Sequence, residues 1–144
     1  MKYINLSKTL PEIFDDVRRQ ETNSEKVRLL SFYKQSKSLA FFVDSLYNKD
    51  WSSLPIPEYT PSRMPIGICY SNIGKEINRI NAAFNFSKTD KAKAELLMIR
   101  ILESVSADEA ELLVNMFKGR KVDGISKSVF KEVYPEFFRF QSED

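Results

Sequence analysis

The helical pattern of the chain is clearest in residues 106–135, which read SADEAELLVNMFKGRKVDGISKSVFKEVYP. Ser106 is followed three residues later by Glu109, the spacing of a capping box, in which two side chains bond to backbone N–H groups at the start of a helix. One helical face is then apolar, and it comprises Leu112, Leu113, Met116 and Phe117. Gly119 suits the left-handed residue that ends many helices. The pattern therefore predicts a helix from Ser106 to about Gly119.

A second helix is predicted after the glycines of this stretch. Ser126 is a residue type that often precedes the first turn of a helix, and Pro135 marks a position where a helix cannot continue. The apolar residues between them are Val129, Phe130, Val133 and Tyr134. Residues 106–135 are thus predicted to form a helix, a turn and a helix.

The turn between these two helices is basic. Residues 118–131 contain one acidic residue, Asp123, and five cations, which are Lys118, Arg120, Lys121, Lys127 and Lys131. The first N–H groups of a helix have no intrahelical acceptor, and a phosphate can satisfy them. The alternative is a solvated loop between packed helices, which is the better expectation for an arbitrary sequence.

The N-terminal third of the chain predicts three more helices. Thr9 and Glu12 have the capping-box spacing, and this helix is expected to run to about Glu21. Thr22 and Glu25 repeat the spacing, and the polar residues 35–38 separate the second helix from an aromatic-rich third one.

Residues 48–70 contain four prolines and are predicted to form a loop without long helices or central strands. The loop is also apolar, so we expect it to lie over the core, with Trp51 as a core anchor. A helix follows from Ser71 or Asn72, and residues 87–90 separate it from the next. The expected apolar face of that next helix is Ala92, Leu96, Ile99 and Leu102, and Glu103 continues it toward Ser106.

The pattern as a whole predicts an all-α fold of six or seven helices, because no segment shows convincing strand alternation. We expect a single domain over residues 1–144 and a tail at 136–144. The tail phenylalanines Phe137, Phe138 and Phe140 are expected to dock on the core.

Composition excludes several kinds of function. The chain has one cysteine, Cys69, and no histidine, which removes intramolecular disulfides, thiolate or imidazole metal cages and imidazole-based catalysis. Cys69 itself is expected to be a small, buried or half-buried apolar residue. A net charge of +2 is too small to indicate nucleic-acid binding by itself.

No run approaches the roughly 20 apolar residues that cross a bilayer. We expect a cytoplasmic protein, in a host cytoplasm if viral, that needs no cofactor and no membrane.

Residues 112–117, 122–126 and 133–138 together resemble the end of the N-terminal DNA-binding domain of ATP-dependent DNA ligases, particularly those of T-even-like bacteriophages. In that family a short basic connection, a glycine, a small apolar residue and a serine open a helix, and a valine, an aromatic residue and a proline end it. A weaker resemblance covers residues 13–51, although the proline-rich loop is longer than the family pattern.

The resemblance implies an all-helical module that grips double-stranded DNA across the minor groove through its phosphates. Gly124, Ile125 and Ser126 would then offer backbone N–H groups, while Lys121 and Lys127 add charge. A second anion site would be formed by Ser36, Lys37 and Ser38, where Ser38 stands in place of the family's glycine.

Residues 121–124 also spell the K-x-D-G pattern of the ligase nucleotidyl-lysine motif. We interpret this match as chance, because that lysine requires an adenylation pocket built from strands and carboxylate motifs further along the chain. We expect the DNA-binding piece without its catalytic domain.

Three hypotheses about function remain open from the sequence. The first is a non-catalytic DNA-binding protein of bacteriophage origin with little base specificity. The second is a protein-interaction module that recruits a phage or host partner through the proline-rich loop and the terminal phenylalanines. The third is an enzyme, for which the acidic pairs Asp15 with Asp16 and Asp108 with Glu109 are the obvious candidates. We expect those acids to decorate helix termini and solvent faces instead.

Overall fold

The computed structural model describes residues 8–64, 69 and 71–138 and is all-α, as predicted. Within those residues the chain forms seven α-helices, one turn of 3-10 helix and no strand. The α-helices are α1 Leu10–Arg18, α2 Asn23–Ser31, α3 Lys37–Asn48, α4 Ile73–Phe86, α5 Lys91–Ser104, α6 Ala107–Phe117 and α7 Lys127–Val133. The 3-10 turn is Pro135–Phe137. None of the helices in the described ranges is long and apolar enough to cross a membrane.

The chain divides into two compact units. The first unit contains Met1–Lys49 and Lys121–Asp144, and the second contains Asp50–Arg120. Helices α1, α2, α3 and α7 therefore belong to the first unit, and α4, α5 and α6 belong to the second. The expectation of a single domain over residues 1–144 stays a prediction.

Short-range capping signals place most helix starts correctly. The Thr22 hydroxyl accepts a hydrogen bond from the Glu25 N–H at 3.2 Å, and Asp90 accepts one from the Lys93 N–H at 3.2 Å. At Ser106 the full capping box is present. Helix α1 starts as predicted but ends at Arg18 rather than near Glu21, because the next residues form a turn before α2.

Aromatic rings from three helices form the core of the first unit. The Phe14 ring lies 5.2 Å from the Phe42 ring and 5.9 Å from the Phe130 ring, centroid to centroid. Tyr134 is buried, and its hydroxyl donates a hydrogen bond to the Lys34 carbonyl at 2.8 Å. These contacts join α1, α3 and α7, and they tie the end of α7 to the connection after α2.

The predicted docking of the tail is confirmed for Phe137 and Phe138. Phe138 is buried, with its ring 5.0 Å from the Tyr47 ring, and Phe137 stacks on Tyr134 at 5.1 Å. The Asn48 side chain donates to the Phe137 carbonyl at 2.8 Å. Phe140 and the rest of the tail beyond residue 138 lie outside the described residues.

Trp51 anchors the second unit, as expected. Its ring is buried between Phe84 and Phe117, at 4.9 and 5.0 Å. Leu54 in the same loop is also buried, which confirms that this part of the proline-rich loop lies on a core. Residues 65–68 and 70 of the loop lie outside the described residues, while Cys69 is half-buried, as expected.

The predicted apolar face of α5 was wrong in part, because Leu102 is buried as predicted but Ala92 and Leu96 are not. The buried residues of this helix are Ala94, Met98, Ile101 and Leu102. Ala92 and Leu96, which the prediction placed inward, are exposed, and Leu96 is 60% exposed. Helix α5 carries apolar residues on more than one face, so periodicity alone did not determine which face would pack.

Glu109 lies in the first turn of α6, as expected, but it faces the interior and not solvent, because it is only 2% exposed. One carboxylate oxygen accepts hydrogen bonds from the Ser106 hydroxyl at 3.0 Å and the Ser106 N–H at 3.4 Å. The other oxygen accepts from the Ile73 N–H at 3.0 Å. One carboxylate thus caps the starts of both α6 and α4, which is how a buried acid is stabilised.

Candidate functional site

A depression of about 520 Å³ lies in the first unit, where the turn before α7 meets the start of α2. Its lining is Asn23, Lys26, Lys121, Val122, Asp123, Gly124, Ile125, Ser126 and Lys127. The structure therefore brings together five of the predicted site residues, Lys121, Gly124, Ile125, Ser126 and Lys127. We call this feature the basic depression.

The conformation of the turn depends on Gly124. Its φ is +78°, a backbone conformation that residues with a Cβ rarely adopt. A Cβ at this position would also lie 3.2 Å from the Arg18 Cβ of α1. The Gly124 carbonyl accepts a hydrogen bond from the Lys26 ammonium at 2.9 Å. The turn is therefore held against α1 on one side and α2 on the other.

Ile125 links the turn to the core of the first unit. Its side chain is buried, and its N–H donates to the Val122 carbonyl at 3.4 Å. This amide closes the turn. Ile125 thus anchors the turn in the core, and the assignment of its N–H group to a phosphate stays a prediction.

The start of α7 retains its free donors. Ser126 precedes the helix, as predicted, but its hydroxyl does not cap it. That hydroxyl pairs with the Ser128 hydroxyl at 2.8 Å. Within the described part of the chain, no protein acceptor takes the N–H groups of Gly124, Ser126 or Lys127. These donors are therefore left for water or for an anion that enters the depression.

The charge of the basic depression is positive. Three lysines, Lys26, Lys121 and Lys127, line it together with one acid, Asp123. Lys121 is exposed and makes no ion pair or hydrogen bond to any described side chain. In low-salt solution such a grouping attracts anions, since each uncompensated ammonium adds to the local potential.

Lys127 has aromatic neighbours. Its ammonium lies 5.9 Å from the centroid of the Tyr47 ring and 5.8 Å from that of the Phe138 ring. Both distances are within the range of cation–π attraction. Burial raises the pKa of the Tyr47 hydroxyl to about 12, so this ring stays neutral at physiological pH.

Several other predicted residues lie outside the basic depression. Lys131 is exposed on α7 and does not line it. Lys118 and Arg120 belong to the second unit, where the Arg120 guanidinium donates to the Asn115 side chain at 3.0 Å. They are exposed cations, but they are not part of this lining.

The predicted second anion site lies at the start of α3. The Ser36 hydroxyl accepts from the Leu39 N–H at 3.3 Å, so the protein itself satisfies one donor of this turn. Lys37 is exposed and Ser38 is half-buried. None of the three residues lines the basic depression.

Asn23 and Lys26 were missed by the sequence reasoning. Lys26 lies 98 residues from its hydrogen-bond partner Gly124, so no local pattern links the two. The available signal was weak, namely a polar residue and a cation in the first turn of a helix that Thr22 caps.

The donor set indicates what the depression is able to bind. Ammonium groups, backbone N–H groups and one side-chain amide suit a phosphate or carboxylate. In the described ranges no group of three His, Cys, Asp or Glu side chains is placed to hold a metal ion. Within the K-x-D-G match, Lys121 and Asp123 are exposed on the turn.

Comparison with family models, curated proteins and solved structures finds no match to this chain. The fold and the depression define an all-α protein with a basic concave surface. Its function has to be inferred from these residues.

Proposed function

We propose that the chain is a non-catalytic protein that binds double-stranded DNA through its phosphates at the basic depression, with little base specificity. The observation that supports this proposal is the meeting of Lys26, Lys121 and Lys127 around one depression that contains a single acid. These lysines come from two distant segments of the chain, so a local run of charge does not explain the cluster.

Phosphate is the DNA component that fits this lining best. Ammonium and backbone N–H groups contact phosphate oxygens whatever the base sequence is. Base recognition usually requires side chains such as arginine, asparagine or glutamine placed against base edges. Asn23 is the one lining residue of this kind. Because a single such side chain reads few bases, we propose binding with little sequence preference.

The resemblance to the ligase DNA-binding domain supports the same proposal. We propose that the chain corresponds to such a DNA-binding module, in the cytoplasm of a bacteriophage host. The turn before α7 supports this proposal: Gly124 has a positive φ, Ser126 directly precedes the helix, and the Ile125 side chain is buried.

The test is a fluorescence-anisotropy titration of a random-sequence duplex at several salt concentrations. If three lysines each neutralise one phosphate, the logarithm of the association constant should fall with the logarithm of salt with a slope of about −2.7. Lys121→Glu should weaken binding and reduce the slope by about 0.9 or more. The helices should stay intact, because Lys121 has no partner among the described side chains.

Lys91→Glu is the matched control. Lys91 is exposed at the first position of α5 in the second unit, and an acid there is favourable to the helix. This variant makes the same charge change and should bind DNA with nearly the wild-type slope. Equal losses in the two variants would show a general charge effect, and no wild-type binding at low salt would refute the proposal.

The alternative is a protein-interaction module. The structure limits the surface that was expected to serve it, because Trp51, Leu54 and Phe138 are packed inward. An exposed aromatic residue remains at Phe32, which is 51% exposed. Absence of DNA binding at low salt would favour this alternative.

A further inference from the structure

Lys127 is the lining residue whose ammonium is placed by aromatic rings. Tyr47 comes from α3 and Phe138 follows the 3-10 turn, and their rings pack against each other at 5.0 Å. The Lys127 ammonium lies nearly equidistant from both rings, at 5.9 and 5.8 Å. No acidic group forms an ion pair with it among the described residues.

This arrangement differs from a salt bridge in its consequence for ligand binding. A carboxylate partner would neutralise the ammonium, whereas a ring attracts it through the quadrupole and leaves its charge available. A free lysine side chain must also lose rotamer freedom when it binds an anion. A lysine that is already restrained by rings loses less on binding, which favours affinity.

The ring pair is itself firmly held. Phe138 is 5% exposed, and the Asn48 side chain binds the adjacent Phe137 carbonyl at 2.8 Å. Tyr47 also contacts the Phe130 ring at 5.9 Å in the core of the first unit. The rings therefore provide a stable support next to a surface lysine.

We propose that Tyr47 and Phe138 are positioning residues, which hold the Lys127 ammonium ready for a phosphate at the basic depression. This inference rests on the proposed DNA binding and adds that these two rings, one from α3 and one from the docked tail, contribute to affinity without touching DNA. Their effect passes through Lys127 alone.

The experiment is a double-mutant cycle on DNA affinity. Phe138→Leu keeps an apolar side chain and the net charge but removes one ring, so affinity should fall about threefold. In a Lys127→Met background, the same Phe138→Leu change should have no further effect, because the residue that it positions is gone. Tyr47→Leu should reproduce the loss, and Tyr47→Phe, which retains the ring, should restore most of the affinity.

Phe137→Leu is the control, because Phe137 stacks on Tyr134 and not under Lys127. Circular dichroism at the assay temperature checks that each variant is folded. If Phe138→Leu unfolds, the comparison of Tyr47→Leu with Tyr47→Phe tests the inference instead. Equal losses from Phe138→Leu with and without Lys127, or tighter binding by Phe138→Leu, would overturn the inference while leaving DNA binding intact. A wild-type protein that binds no DNA would overturn both proposals.

Discussion

Glu109→Ala is expected to be strongly destabilising, although Glu109 lies in no proposed binding surface. The buried carboxylate accepts hydrogen bonds from the Ile73 N–H and from both the hydroxyl and the N–H of Ser106. Alanine would leave the Ile73 donor unpaired in the interior, which costs about 1–3 kcal/mol. The N–H and hydroxyl of Ser106 also lose their acceptor, which adds about 1 kcal/mol, while the bond from the residue-109 N–H to the Ser106 hydroxyl remains.

The sum for Glu109→Ala is about 3 kcal/mol, and for a chain of this length it corresponds to a fall in Tm of about 10 °C. Thermal and urea unfolding followed by circular dichroism at 222 nm would measure the change. Glu111→Ala is a suitable control, since Glu111 is exposed on the same helix and should cost less than about 0.5 kcal/mol.

Glu109→Gln separates the two contributions of the carboxylate. Glutamine retains one acceptor oxygen and replaces the other with a donor, so we expect a cost of about 1–2 kcal/mol. A Glu109→Ala protein whose stability lies within about 0.5 kcal/mol of the wild type would refute the reasoning. The carboxylate would then not be the group that holds the two helix starts.

Two further predictions concern the glycines and Tyr47. Gly119→Ala should lower the free energy of unfolding by about 1 kcal/mol, because its φ is +71° but the surrounding space is open. Gly124→Ala should lower it by about twice as much, because its φ is +78° and the new Cβ also meets Arg18. Urea unfolding measures the difference, and equal costs would show that contact with Arg18 is unimportant. Burial raises the pKa of Tyr47 to about 12 from an ordinary 10.0, so its stabilising contribution is complete below pH 10 and is lost as the pH rises to about 12. Tyr47→Phe should reduce this alkaline loss of stability, and an unchanged pH profile would contradict the assignment.

Local signals predicted most helix boundaries and the turn of the site. Ser106 with Glu109 and Thr22 cap helices as expected, because a cap is made within three residues of the chain. Gly119 has a positive φ just after α6, as its place in the pattern suggested, and Gly124 also has a positive φ. Pro135 ends α7 for an equally local reason, since it has no N–H group to donate.

Other features did not follow from local patterns. Most of the packed face of α5 was missed because several faces of this helix are apolar, and the choice between them depends on the neighbouring helices. Ile125 was assigned to ligand binding, but the core of the first unit takes its side chain and the turn takes its N–H. The burial of Glu109 depended on the start of α4, which lies 36 residues away in the chain.

The sequence alone determined that the chain is helical, where most helices begin and that residues 118–131 are rich in cations, because these properties arise between residues a few positions apart. The tertiary structure decided which of those cations share one surface. It brought Lys26 to Gly124 across 98 residues and set Lys127 beside Tyr47 and Phe138. Such contacts depend on how helices pack through their buried side chains, and a pattern of neighbouring residues does not contain that information.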